Sequence, residues 1–190
     1  MAYTVTIAPA VEPITTADQE LQDHLKWETA IGDADLINNI YVPAARQKIE
    51  VYTQRAMISQ TITENFDRFP KVGELRLSVM GVTSITSIKY YDSDDTQQTW
   101  SSGEYNTDLV SRKARVAPGV DYDWPEISER KNAIEVIYVA GYANAAAVPA
   151  KFKIAIMWIV GEMYEARTDS PHRLPTRVMD LINAESHWSF

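Results

Sequence analysis

Cysteine is absent from the 190 residues. Its absence excludes disulfides, thiolate nucleophiles and cysteine-ligated zinc, and it fits a protein made in a reducing cytoplasm. Stability must come from packing, within the chain or against other subunits. Histidine is scarce: His24, His172 and His187 fall in three separate segments, without the i+4 pairing that marks a helical metal site. Long hydrophobic runs are also missing. The longest uncharged apolar run, 154–161 between Lys153 and Glu162, is less than half of what a bilayer span needs, so no membrane partner is expected. The opening Met1-Ala2-Tyr3-Thr4-Val5-Thr6-Ile7 lacks the basic start, long apolar region and small-residue cleavage site of a secretory signal. Positive charge is sparse, 18 basic against 26 acidic residues for a net −8. The deficit is uneven: 4 against 8 over residues 1–57, 9 against 13 over 58–148, and 5 against 5 over 149–190. No segment forms a basic patch, so a tight, salt-sensitive grip on phosphates is not expected.

Catalytic signatures are missing as well. There is no Gly-x-Ser-x-Gly elbow, no phosphate-binding loop ending Gly-Lys-Ser/Thr and no dinucleotide fingerprint. Asp92, Asp94 and Asp95 begin like a calcium loop, but Gln97 and Gly103 stand where that loop needs Gly and Glu. A solvated hairpin turn is the better reading, as it is for Asp121 and Asp123 beside Trp124-Pro125. Arg112-Lys113-Ala114-Arg115 is the one basic cluster, and alternation along a strand puts Lys113 and Arg115 on one face. Without interleaved aromatics it reads as a solvated strand or an ion pair at a subunit contact rather than a nucleic-acid groove. No enzyme activity, cofactor or metal is expected.

What remains is architecture. With 45% hydrophobic and 23% charged residues, the composition is that of an ordinary globular protein. Residues 1–13 look extended and end at Pro9 and Pro13. Thr15 to Asp18 then read as a helix start, with the Asp18 carboxylate reaching back, and the helix runs to about Leu25. Over 33–57 the apolar residues Ile37, Ile40, Ala44, Ala45, Ile49 and Tyr52 keep a helical rhythm. Arg46, Gln47 and Glu50 take the other side, and Pro43 predicts a kink. From Ile58 the period switches to two, with six or seven short strands across 58–66, 74–77, 82–91, 96–100, 105–110, 112–116 and 133–142. Pro149 suits the first turn of a helix to about Arg167, apolar at every position over 154–160, and Pro175 opens a last short helix.

The expected fold is therefore α+β. A helical body of about four helices (1–57 and 149–190) carries an antiparallel β module (58–148) inserted between its second and third helices. Most of the five tryptophans and ten tyrosines are expected in the core. Trp188 and Phe190, with His187 beside them, stand apart, because large rings near a chain end suit a partner-binding surface. Ile156, Trp158 and Ile159 are expected at helix packing or a subunit interface, since a helix apolar all round must be covered on nearly every side.

The order of short motifs resembles one known family. Glu12-Pro13-Ile14-Thr15 precedes a helix ending His24-Leu25, and Asp35-Leu36-Ile37 opens a helix ending Val51-Tyr52-Thr53-Gln54-Arg55-Ala56. Ser59-Gln60-Thr61, Phe66-Asp67-Arg68-Phe69-Pro70, the run from Val82 to Tyr90, and Tyr138-Val139-Ala140-Gly141-Tyr142 before Val148-Pro149 follow in turn. Together they resemble the head-tail connector (adaptor or head-completion) proteins of tailed bacteriophages, from about Glu12 onward. That resemblance implies a structural virion protein at the head-tail junction, made in the host bacterial cytoplasm. Its partners would be copies of itself in a ring, usually dodecameric, the portal protein above, a neck or tail-completion protein below, and genomic DNA passing through without sequence-specific binding. It carries no catalytic residues over. Pro43 departs from the family, whose corresponding helix is usually Ala-rich there. An alternative from another class is a ligand- or carbohydrate-binding β module of a tail or host-recognition component, which exposed Trp and Tyr on one sheet face would favour. An uncharacterised hydrolase would need converging carboxylates or histidines.

Overall fold

The computed structural model describes residues 2–26, 32–165 and 174–183. The chain divides into two compact units, Met1–Ala10 with Ser59–Gly141, and Val11–Ile58 with Tyr142–Phe190. The fold class is α+β.

The first unit holds eight strands: β1 Ala2–Ile7, β2 Gln60–Phe66, β3 Leu75–Arg76, β4 Val82–Tyr91, β5 Gln97–Trp100, β6 Tyr105–Asp108, β7 Arg115–Pro118 and β8 Ile134–Ala140. They form a five-stranded sheet ordered β1-β2-β8-β4-β5 and a three-stranded sheet ordered β3-β7-β6, antiparallel throughout. Along β2 and β8 buried and half-buried residues alternate strictly, which is how β-branched runs read when one face is covered. Ile62, Phe66, Ile134, Val136 and Tyr138 point inward, and the small sheet buries Leu75 and Val116. Gly81 and Gly141 bracket the β4–β8 pair at φ +80° and +111°, and the Gly141 N–H donates to the Gly81 carbonyl at 2.9 Å. A side chain at either glycine would strain that corner.

Two expectations need correction here. Residues 1–10, which the sequence reading places with the helical body, belong to the sheet unit: β1 is an edge strand pairing Tyr3 with Glu64 and Val5 with Ile62. Its partner lies more than fifty residues along the chain, so no local pattern marks the pairing. The strand expected over 112–116 begins only at Arg115, so Lys113 and Arg115 do not share a strand.

Glu64 points into the interior on β2 and is fully buried. Its carboxylate accepts from the Ser78 N–H at 3.0 Å, from the Ser78 hydroxyl and from the Tyr138 hydroxyl at 2.9 Å. Burial, with this carboxylate alongside, pushes the Tyr138 phenol well above its ordinary pKa. Glu64→Ala would leave three donors without their acceptor in one step, two on half-buried Ser78 and one on fully buried Tyr138. We expect it to destabilise the chain by about 3–5 kcal/mol, and Glu64→Gln, which keeps an acceptor, by less. Urea unfolding followed by tryptophan fluorescence checks this. A Glu64→Ala midpoint no lower than that of a surface substitution would show that the buried carboxylate holds nothing in place.

The second unit is helical. α1 Gln19–Leu25 is followed by α2 Ala34–Leu36, a π turn Ile37–Tyr41 and α3 Val42–Thr53 in one continuous run, then by a 3₁₀ turn Ala145–Ala147, α4 Ala150–Glu165 and α5 Thr176–Ile182. The Asp18 carboxylate does reach back, accepting from the Thr15 N–H at 2.7 Å, although α1 itself starts one residue after Asp18. Pro43 sits in the first turn of α3, where its missing N–H costs little. The irregularity lies just upstream, in the wider ring closed by the Val42 N–H on the Ile37 carbonyl. Leu21, Ile37, Ile49, Phe152, Ile156 and Val160 belong to the core of this unit.

Arg46 corrects the sequence reading a third time. It is buried rather than on the polar side, because its guanidinium bonds Glu12 at 2.8 and 3.2 Å and Glu50 at 2.7 Å. Burial alone would lower its pKa, but the two carboxylates hold it above the ordinary value. Glu50 also accepts from the Met57 N–H at 2.8 Å, so the trio ties residue 12 and the end of the helix to one point.

Candidate functional site

The polar clusters are used up by local structure. The Asp92 carboxylate accepts from the Gln98 side-chain amide at 2.8 Å and from the N–H groups of Thr96 and Asp94 at 2.9 and 3.0 Å, which hold it below the usual carboxylate range. Asp95 pairs with Arg130 at 3.2 Å, and that guanidinium lies 3.8 Å from the Tyr91 ring centroid. The loop is a hairpin turn, and among the described residues no three metal-ligating side chains converge. His24 packs instead: a Cβ at Gly161 would come within 3.1 Å of its Nε2, so the glycine lets α1 approach α4 closely.

The basic cluster is equally committed. Arg115 bonds both Glu74 oxygens at 3.0 Å and also Asp108. Hydrogen bonds from the Ser111 hydroxyl and N–H, together with Arg115, hold the Asp108 carboxyl far below its ordinary pKa. Arg112 turns its Nε to the Met80 sulfur at 3.4 Å. Side chains so arranged offer no continuous track for phosphates. Asp108, near Arg115 in sequence, is brought opposite it by the β6–β7 register, while Glu74, just before β3, is the partner that sequence reasoning missed.

Aromatic rings of the sheet unit pack on one another. Phe69 stacks on Trp124 at 4.7 Å and meets Trp100 edge-on at 5.7 Å, while Trp100 lies 5.0 Å from Tyr105. Phe69 and Trp100 are buried. This is an internal cluster, not an open aromatic platform for a sugar.

Of the residues singled out from sequence, Ile156 and Ile159 lie in the core of the helical unit. Trp158 is half-buried, with the Arg177 guanidinium 5.4 Å from its ring and the same guanidinium bonded to Glu162 at 3.0 Å. Trp188, Phe190 and His187 lie outside the described residues, as do Trp27 and His172.

The surface that sequence reasoning missed is the outer side of the α2–α3 run. Val42, Ala45, Arg46, Ile49 and Thr53 are buried on one side of it. Ile40, Ala44, Gln47 and Val51 recur at spacings of four, three and four on the opposite side, and Ile40 and Val51 are 56% and 71% exposed. The helix therefore carries two apolar stripes, one of them open. The apolar rhythm alone places Ile40 inward, and no local signal corrects it, because the partner that draws Arg46 inward is Glu12, 34 residues away. These faces can bind by packing, and they hold no reacting group.

No protein-family model matches this sequence, and no curated protein matches it either. The fold does match solved structures. A chain from the virion of a native gene transfer agent (GTA) particle aligns with TM-score 0.79 and 21% identity, covering 100% of this chain and 97% of that one. A chain from the neck of an empty GTA particle, computed with C6 symmetry, gives 0.78 and 21% over the same shares. One from the neck of a native GTA particle, computed with C12 symmetry, gives 0.73 and 19%, covering 98% and 97%. The fold is thus shared over 98–100% of this chain with chains of GTA particles.

Proposed function

We propose that this protein is a structural virion component of the head-tail connector type, assembling as a ring beneath the portal, extending the DNA channel and docking the next neck or tail component. The observation that carries the reading is the fold likeness to chains from GTA particle necks, which spans 98–100% of this chain. The ordered connector-like motifs from Glu12 onward support it independently. Chemistry is compatible: the described polar clusters are structural, and an acidic subunit of net charge −8 repels phosphate, so DNA slides through a lumen rather than sticking to it. A head-to-tail contact repeated about an axis closes such a ring, with twelve copies the number this reading favours. Genomic DNA would pass without sequence-specific contact, and no cofactor takes part.

Electron microscopy and native mass spectrometry of the protein mixed with portal complexes test the proposal. The expected result is a ring of this chain stacked coaxially on the portal. A protein that decorates no portal and binds a glycan array instead would overturn it in favour of a recognition module.

A further inference from the structure

One edge of the five-stranded sheet is unguarded. β1 is its outermost strand on one side and β5 on the other, and every second N–H and C=O of an edge strand points away from the sheet, ready to pair with one more strand. The two edges differ. β5 has four residues and follows a turn carrying Asp92, Asp94 and Asp95, acids that repel a strand of another acidic chain. β1, Ala-Tyr-Thr-Val-Thr-Ile, holds neither charge nor proline, and no charged side chain occurs before Glu12. Its inward side is unfinished. Tyr3 and Val5 stand opposite the buried Glu64 and Ile62, yet they are 42% and 41% exposed, so the inner face of the sheet runs to this edge and is only partly covered there.

We propose that β1 pairs antiparallel with β1 of a second copy of this chain, about a two-fold axis at Thr4. The strand's own pattern argues for this occupant. Centred on Thr4, the pairing lays Tyr3 of each copy opposite Val5 of the other, on the side of the sheet that holds Ile62 and Tyr138. Thr4 then meets Thr4 on the other side, where Thr6 already bonds Thr63 at 2.6 Å. An aromatic ring beside a β-branched side chain is a favourable cross-strand pair, and the two-fold axis supplies it twice. Charge agrees: two chains of net −8 meet most readily where neither carries a charged side chain. The register bulge between Val5 and Ile7 bends the strand after this regular stretch, so the contact is short and the dimer weak. A two-fold contact closes on itself instead of propagating about an axis. The pairing therefore belongs to the free protein and stands apart from the ring reading.

Sedimentation of the full-length chain over about two decades of concentration should show a reversible equilibrium between monomer and dimer. Thr4 is exposed, and a charge placed there faces its own copy across the axis. Thr4→Lys and Thr4→Glu should each stay monomeric over the same range while melting near the parent, because like charges directly opposite one another repel. An equal mixture of the two should recover a dimer, which native mass spectrometry reads as one copy of each variant. Val51→Asp should leave the equilibrium unchanged, which separates this edge from the open side of α3. A parent chain that stays monomeric would leave the edge to a strand of another protein and overturn the proposal, whatever the variants do. Charged variants that dimerise as the parent does, a mixture without the mixed dimer, or a dimer lost on Val51→Asp would each overturn it as well.

Discussion

Replacing Ile156 with glutamate is expected to leave no folded helical unit. The side chain is fully buried among the core residues of α4 and its neighbours. An unpaired carboxylate there costs several kcal/mol in desolvation, in addition to the lost apolar burial of about 2 kcal/mol. Against a total stability of about 5–15 kcal/mol for a chain of this kind, the loss is comparable with the whole. Ile159→Glu should behave alike, since Ile159 is 2% exposed. Trp158→Ala is a milder case. A fully buried tryptophan costs about 3–5 kcal/mol on truncation, and this half-buried ring, partly covered by Arg177, should cost roughly half of that. Circular dichroism melts of the three variants check the order. An Ile156→Glu protein that stays soluble and melts cooperatively near the parent would remove α4 from the centre of the unit.

The contrast between these residues shows what the sequence could reveal. Over 154–160 every residue is apolar, so burial of that helix follows from composition alone, and the switch of period at Ile58 marks the start of the sheet. Periodicity could not say which side of the α2–α3 run faces inward, because that side is fixed by Glu12 reaching Arg46 across 34 residues. An arginine with two carboxylate partners behaves as a core residue, and an isolated one does not. Pairing of β1 with β2 was hidden for the same reason, as was the burial of Glu64, whose donors at Ser78 and Tyr138 come from distant points of the chain. Local pattern yields elements; long-range partners decide faces, and the open stripe of α3 is visible only once the buried one is known.

Removing residues 186–190 is expected to abolish attachment to DNA-filled heads while the chain stays folded. The described core of the helical unit already takes in Val178 and Ile182 on α5, and the expectation is that it holds without the last five residues. Trp188 and Phe190 offer large apolar area, and aromatic anchors of this kind typically carry about 2 kcal/mol each at an interface. Trp188→Ala with Phe190→Ala should therefore weaken attachment about a thousandfold. Head-completion assays with the truncated chain, paired with a thermal melt, check both halves. Truncated protein that completes heads as well as the intact chain does, or that fails to fold, would rule the anchor out.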